Sequence, residues 1–154
     1  MLLVPFLVYP FSLYGTVNRI RKSFNVTLGT GLVYLYPPKH HTRATRILDE
    51  VISVDSNCVS ALMARGSILQ VAKKWDDAVG IYTKVIGLTV DKESTKSVAE
   101  EEHAWCLIHI GDMDTAAGEL QHVLDIAEES DESDLRKAKI LWKLGQCHWK
   151  MGGD

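Results

Sequence analysis

A chain of 154 residues is long enough to bury one hydrophobic core. With 46% hydrophobic and 24% charged residues it has the composition of an ordinary soluble globular protein. The net charge of −3 hides a strong segmentation: six Lys/Arg and no acid before Asp49, twelve Asp/Glu and no Lys or Arg from Ser97 to Leu135, then five Lys/Arg and no acid from Arg136 to Lys150. A centre so acidic repels phosphate, which argues against direct nucleic-acid binding by this segment. The plainer reading of the acidic stretch is a set of solvated helix faces and an exposed linker. Three cysteines, Cys58, Cys106 and Cys147, are an odd count without disulfide-framework spacing, which fits a reduced, intracellular compartment.

In chain order, Met1 to Tyr14 is almost wholly apolar. A signal peptide needs a positive n-region and a small-residue cleavage site, yet none of the first eighteen residues is Lys or Arg. A membrane helix needs about 20 apolar residues, and this run is shorter and interrupted by Pro5 and Pro10. Asn25-Val26-Thr27 matches a glycosylation acceptor, a pattern short enough to occur by chance. The balance is against secretion and against a membrane. Residues 1–22 are expected to form an irregular apolar segment.

From Ser23 to Tyr36 a helix is expected, weakened by β-branched residues and glycines, with Pro37-Pro38 as the turn after it. Ala44, Leu48, Val51 and Ile52 then fall on one stripe of a second helix. Asp55-Ser56-Asn57 is a cap cluster. Cys58 to Val71 reads as a first helix with Gly66 at its middle. Lys73 to Asp77 is expected as a turn, and Ala78 to Leu88 as a second helix. Val98 to Ile110 is again a first helix, with Ala104 as its small residue and Gly111-Asp112 as its close. Asp114 to about Glu128 follows as a second helix, then an acidic linker, Glu129 to Asp134. Leu135 to Met151 is one more first helix, with Gly145 at its middle.

Three second helices share one pattern. Ala44, Leu48, Val51 and Ile52 return 34 residues later as Ala78, Tyr82, Val85 and Ile86, and again as Ala116, Leu120, Val123 and Leu124. A small residue, a bulky one four later and a branched pair beyond it, repeated near this period, mark a stacked array of helix pairs. The expected fold is all-α: an α-solenoid of antiparallel helix pairs over residues 23–154. A degenerate repeat covers about 23–57, repeats follow over about 58–92 and 97–130, and a partial repeat covers 135–154. With no second helix after it, the partial repeat leaves Leu141, Leu144 and Met151 short of a partner, as in a fragment of a longer array.

These positions resemble the tetratricopeptide repeat (TPR): Gly66, Leu69, Ala78, Tyr82 and Val85; Ala104, Leu107, Gly111, Ala116, Leu120 and Val123; Leu144, Gly145, His148 and Gly152. The repeat proline is replaced by Ser56 and Val90, and the later spacing exceeds 34 residues. Glu101 to Leu107, Leu141 to Gly152, Ala61 to Gly66 and Lys74 to Ala78 also resemble the TPR scaffold subunits of superkiller complexes. That resemblance implies a cytoplasmic scaffold, compatible with a nuclear pool. It further implies a DExH RNA helicase and a WD-repeat protein as partners, and a role in exosome-dependent 3′-to-5′ mRNA decay. The alternatives are a generic TPR peptide-binding adaptor in an unrelated assembly, and a secreted or membrane-tethered repeat protein.

No phosphate loop, nucleophile elbow or paired-carboxylate setting appears, so no enzyme and no cofactor are expected. His103, Cys106 and His109 span too wide a helical arc to converge on one metal ion. Cys147 and His148, adjacent on a helix, point about 100° apart, which disfavours a nucleophile and base. The aromatics are more informative. Trp105, Trp142 and Trp149 lie on first helices, which line the groove in the TPR arrangement, while Trp75 is expected in a turn. Trp142 and Trp149 are seven apart and share a face flanked by Lys139, Lys143 and Lys150. Trp105, Trp142, Lys143, Trp149 and Lys150 are therefore the candidate partner-binding residues. The competing reading is that these tryptophans pack between repeats. Met63, Ser67 and Glu101, at groove-facing places, do not supply the Lys and Asn of chaperone-tail clamps.

Overall fold

The computed structural model describes residues 9–35 and 38–152, with side chains described for 15–34 and 38–152. Among these residues the structure is all helical: α1 Tyr9–Leu35, α2 His41–Val54, α3 Val59–Val71, α4 Trp75–Leu88, α5 Glu93–Ile110, α6 Met113–Glu129 and α7 Asp134–Met151. The architecture is that of a TPR-like α-solenoid, with neighbouring helices packed in consecutive pairs. The chain divides into two compact units, Met1–Ala61 and Leu62–Asp154.

The recurring stripe is the core. Ala44, Leu48 and Val51 of α2, Ala78, Tyr82 and Val85 of α4, and Ala116, Leu120 and Val123 of α6 are all buried, none more than 4% exposed. Removing such side chains from water is the main favourable term holding each helix in place. The stripes also explain why short helices persist, since packing outweighs intrinsic propensity.

In the first unit, α1 packs on α2. Gly29 is buried against Leu48, where a Cβ would lie 2.8 Å from Leu48 Cδ2. That close approach gives one of the weakening glycines of α1 a packing role. Lys22 of α1 forms an ion pair with Asp55, beyond the end of α2. The other carboxylate oxygen of Asp55 accepts from the Asn57 N–H at 3.1 Å, as the cap cluster suggests. The irregular segment expected through residue 22 is corrected over residues 9–22, which are helical. Pro10 is the second residue of α1, where its missing N–H would have no helical partner anyway. Residues 1–8, with Pro5, lie outside the described residues, as do Tyr36 and Pro37.

In the second unit, connections are short. Lys73 (φ +56°) and Gly111 (φ +98°) take the left-handed conformation that ends α3 and α5. Asp112 then caps α6, its carboxylate accepting from the Thr115 N–H at 3.3 Å. Two boundaries differ from expectation. Trp75, Asp76 and Asp77 belong to α4 and not to a turn, with both aspartates in the first turn, where the helix dipole favours them. Helix α5 begins at Glu93, five residues before Val98.

Candidate protein-interaction site

The acidic residues of α5 are not a solvated face. Glu100 and Glu101 are buried, at 8% and 7% exposure. Glu101 accepts from Lys143 Nζ at 2.8 Å and lies 3.6 Å from Arg136 Nη1, both on α7. Arg136 also donates to Ser97 Oγ at 3.1 Å. Lys143 reaches Glu102 Oε1 at 3.1 Å, and Gln70 of α3 donates to Glu102 Oε2 at 2.9 Å and to Cys106 Sγ at 3.4 Å. The solvated-face reading is corrected for Glu100 and Glu101. The acidic block meets the basic block that follows it, because two charges leave water cheaply only when each finds a counter-charge.

A second polar seam joins α5 to α6. His103 Nδ1 lies 2.8 Å from Glu119 Oε2, and Glu100 Oε2 lies 3.1 Å from His122 Nδ1. The later residue of α5 meets the earlier one of α6, so these two helices run antiparallel. His103 Nε2 meets Thr83 Oγ1 of α4 at 3.1 Å.

Around the α5–α7 contact lies a row of four rings. Trp105 of α5 and Trp142 of α7 sit with centroids 5.3 Å apart, tilted by 36°. His109, one turn after Trp105, meets it edge-on at 4.7 Å. Trp75, the first residue of α4, stacks on His109 at 3.9 Å with planes 6° apart. Burial lowers the His109 pKa, and Lys150 and Lys73 push it the same way. The stacked imidazole is therefore held toward its neutral form. Lys143 Nζ stands 5.7 Å from the Trp105 ring centroid, within cation–π range. Beside the row is a groove of about 550 Å³ lined by Val98, Glu101, Arg136, Lys139, Trp142 and Lys143.

The five candidate residues divide by environment. Trp105 is half-buried in the ring row. Trp142 joins the row and is still 57% exposed, while Trp149 is 79% exposed. Lys143 is engaged by two glutamates and the Trp105 face. Lys150 donates to the Ile108 carbonyl at 3.3 Å, near the end of α5, where a cation complements the helix dipole. Both sequence readings of the tryptophans thus describe part of the molecule: Trp105 packs between repeats, Trp149 faces solvent, and Trp142 does both.

His103, Cys106 and His109 turn to different neighbours: Thr83 and Glu119, Gln70, and the two tryptophans. Among the described residues no three His, Cys, Asp or Glu side chains stand close enough to hold a metal ion. Cys147 is buried and His148 is exposed. Among the described residues no helix is long and apolar enough to cross a membrane. The ring row was missed from sequence. Its signal was the i, i+4 spacing of Trp105 and His109, but Trp75 joins only through tertiary packing.

No family model matches the chain. It is 30% identical over 129 residues, 83% of its length, to superkiller protein 3 of Saccharomyces cerevisiae. It is 22% identical over 130 residues to superkiller protein 3 of Schizosaccharomyces pombe. The chain is a TPR-like relative of superkiller protein 3. It spans 9% of the length of each of these relatives, so the likeness concerns one stretch of helical repeats.

Proposed function

We propose that this chain is a non-catalytic TPR scaffold of a superkiller-type complex, assisting exosome-dependent 3′-to-5′ mRNA decay in the cytoplasm. The observation that carries this reading is the similarity to superkiller protein 3 in two yeasts over more than four-fifths of the chain. The helix-pair architecture fits a role built on surfaces. Its partners are proteins, with a DExH RNA helicase and a WD-repeat protein as the pair to seek. Exposed Trp149 and half-exposed Trp142 are the anchors; large rigid rings of this kind dominate interface energetics. Lys143 holds the Trp105–Trp142 contact in place, and Lys150 supplies charge at its rim.

The test is affinity capture from a native lysate with Trp149→Ala, Cys106→Ala and His109→Ala, after circular dichroism shows each to be helical. Capture of helicase and WD-repeat subunits that falls at least tenfold with Trp149→Ala, and is unchanged with the other two, supports the reading. Capture lost with Cys106→Ala while Trp149→Ala is silent sinks it.

A further inference from the structure

Two kinds of contact hold α3 in the second unit. Toward its own partner the contact is apolar: buried Gly66 is a seat for the Tyr82 ring of α4, a knob so close that a Cβ on Gly66 would stand 2.6 Å from Cζ. Toward the next first helix, α5, it is polar as well, and one carboxylate stands at its centre. Glu102 of α5 is half-buried and gives its two oxygens to two different helices. Oε2 accepts from Gln70 Nε2 of α3 at 2.9 Å, and Oε1 accepts from Lys143 Nζ of α7 at 3.1 Å. The same Gln70 amide donates to the Glu102 carbonyl at 3.3 Å.

Two features set this arrangement apart from ordinary surface ion pairs. Lys143 also holds Glu101, and these two side chains are only 12% and 9% exposed, so water and salt screen them weakly. Glu102 and Lys143 also line the groove beside the ring row, so a group entering the groove meets them. A carboxylate ordered by one donor reaches the second at a lower entropy cost, and both donors lose it when it turns away. Gln70 and Lys143 are thereby linked through an acceptor that belongs to neither helix.

We propose that Glu102 is the centre of a strap across three successive first helices, α3, α5 and α7, through which a change in the α5–α7 groove is transmitted to α3. An anionic group that enters the groove and draws Lys143 to itself frees the Glu102 carboxylate to turn. Gln70 then loses its charged acceptor, and the last turn of α3 is held less firmly. Neighbouring repeats of this unit respond together and not one by one. The strap is a property of the chain itself, and it goes beyond the scaffold reading because it holds whichever partner fills the groove.

Amide hydrogen exchange of the full chain, read by mass spectrometry, tests the strap, with Lys143→Met standing in for a groove that has drawn the lysine away. Lys143→Met should speed exchange in the last turn of α3, residues 67–71, by about threefold or more, although the Lys143 contacts with Glu101, Glu102 and Trp105 are all on α5. In a Glu102→Ala chain the same Lys143→Met change should leave α3 as it was, because the strap is already cut. Glu102→Gln is the gentler variant: it keeps the size but offers one oxygen, and its amide hydrogens face donors. It should loosen α3 and the middle of α7 together, and leave exchange in α6 unchanged. Should Lys143→Met fail to fold, as circular dichroism would show, Glu102→Gln decides the matter. Three results overturn the proposal: α3 unmoved in Lys143→Met, the same increase in the Glu102→Ala background, or Glu102→Gln loosening only one of the two helices.

Discussion

Helices α5 and α7 carry one register in two environments. Ala99 and Cys106 of α5 match Ile140 and Cys147 of α7, and all four are fully buried against the preceding helices. On the other side, Glu101, Ala104 and Ile108 of α5 are buried beneath α6 and α7. Their counterparts Trp142, Gly145 and Trp149 are exposed. The inward sides are alike because each first helix meets an equivalent predecessor. The outward sides differ because α6 and α7 cover that side of α5. The inward side of each of these helices is thus committed to folding, while in this chain the outward side of α7 carries Trp142 and Trp149 in solvent.

The sharpest way to break the comparison is to remove the knob from a covered seat. Tyr82→Ala empties the space over Gly66 and should cost about 3–5 kcal/mol, read as a fall in the urea midpoint. A loss below about 1 kcal/mol would mean that the Gly66 seat is not what orders α3 on α4.

The shared inner side predicts that the two matched cysteines behave alike. Burial pushes the Cys106 thiol up to about 11, and raises Cys147 for the same reason. Thiolate is the reactive form and appears only as pH approaches that value. At pH 8, iodoacetamide should label half-buried Cys58 while Cys106 reacts about a hundredfold more slowly than an ordinary thiol, its rate rising about tenfold per pH unit. Mass spectrometry of digests reads this directly. Equal labelling of Cys58 and Cys106 in the folded chain would count against the covered side.

Overpacking separates the two outer sides. Ala104→Leu should cost about 1–3 kcal/mol by forcing α5 from α6. The matched change on α7, Gly145→Leu, should cost nothing, since its side chain enters solvent. Equal melting midpoints for the two variants would show that both faces are covered.

The smallest effect sharpens the same point. Gly145→Ala should stabilise the chain by about 0.5–1 kcal/mol, the helix-propensity difference at an exposed interior position. Destabilisation measured by thermal melting would place another group over Gly145.

Much of this was legible in the residues. The stripes Ala44-Leu48-Val51, Ala78-Tyr82-Val85 and Ala116-Leu120-Val123 announce both the period and the core, because a helix buries whichever face repeats every 3.6 residues. Gly111 announces a helix end. The extent of α1 was less legible: its glycines and β-branched residues argue locally against a helix, and only packing such as Gly29 on Leu48 reveals their place. The exposed part of the candidate site, Trp142 and Trp149, followed from their spacing. The charge pattern misled, since a run of acids looks solvated unless the cations that meet it are known.

By itself the sequence determined the helical periodicity, the repeat register and the residues that must be buried, all of which are properties of neighbours within about two turns. Only the tertiary structure decided that Glu101 pairs with Lys143 and Arg136, and that Trp75, His109, Trp105 and Trp142 stand in one row. It alone also decided that Gly66 is filled while Gly145 is bare. The physical reason is range. Helix periodicity is written in contacts three or four residues apart, whereas counter-charges, stacked rings and knobs come from segments some 16 to 42 residues away, whose arrival depends on how whole helices pack.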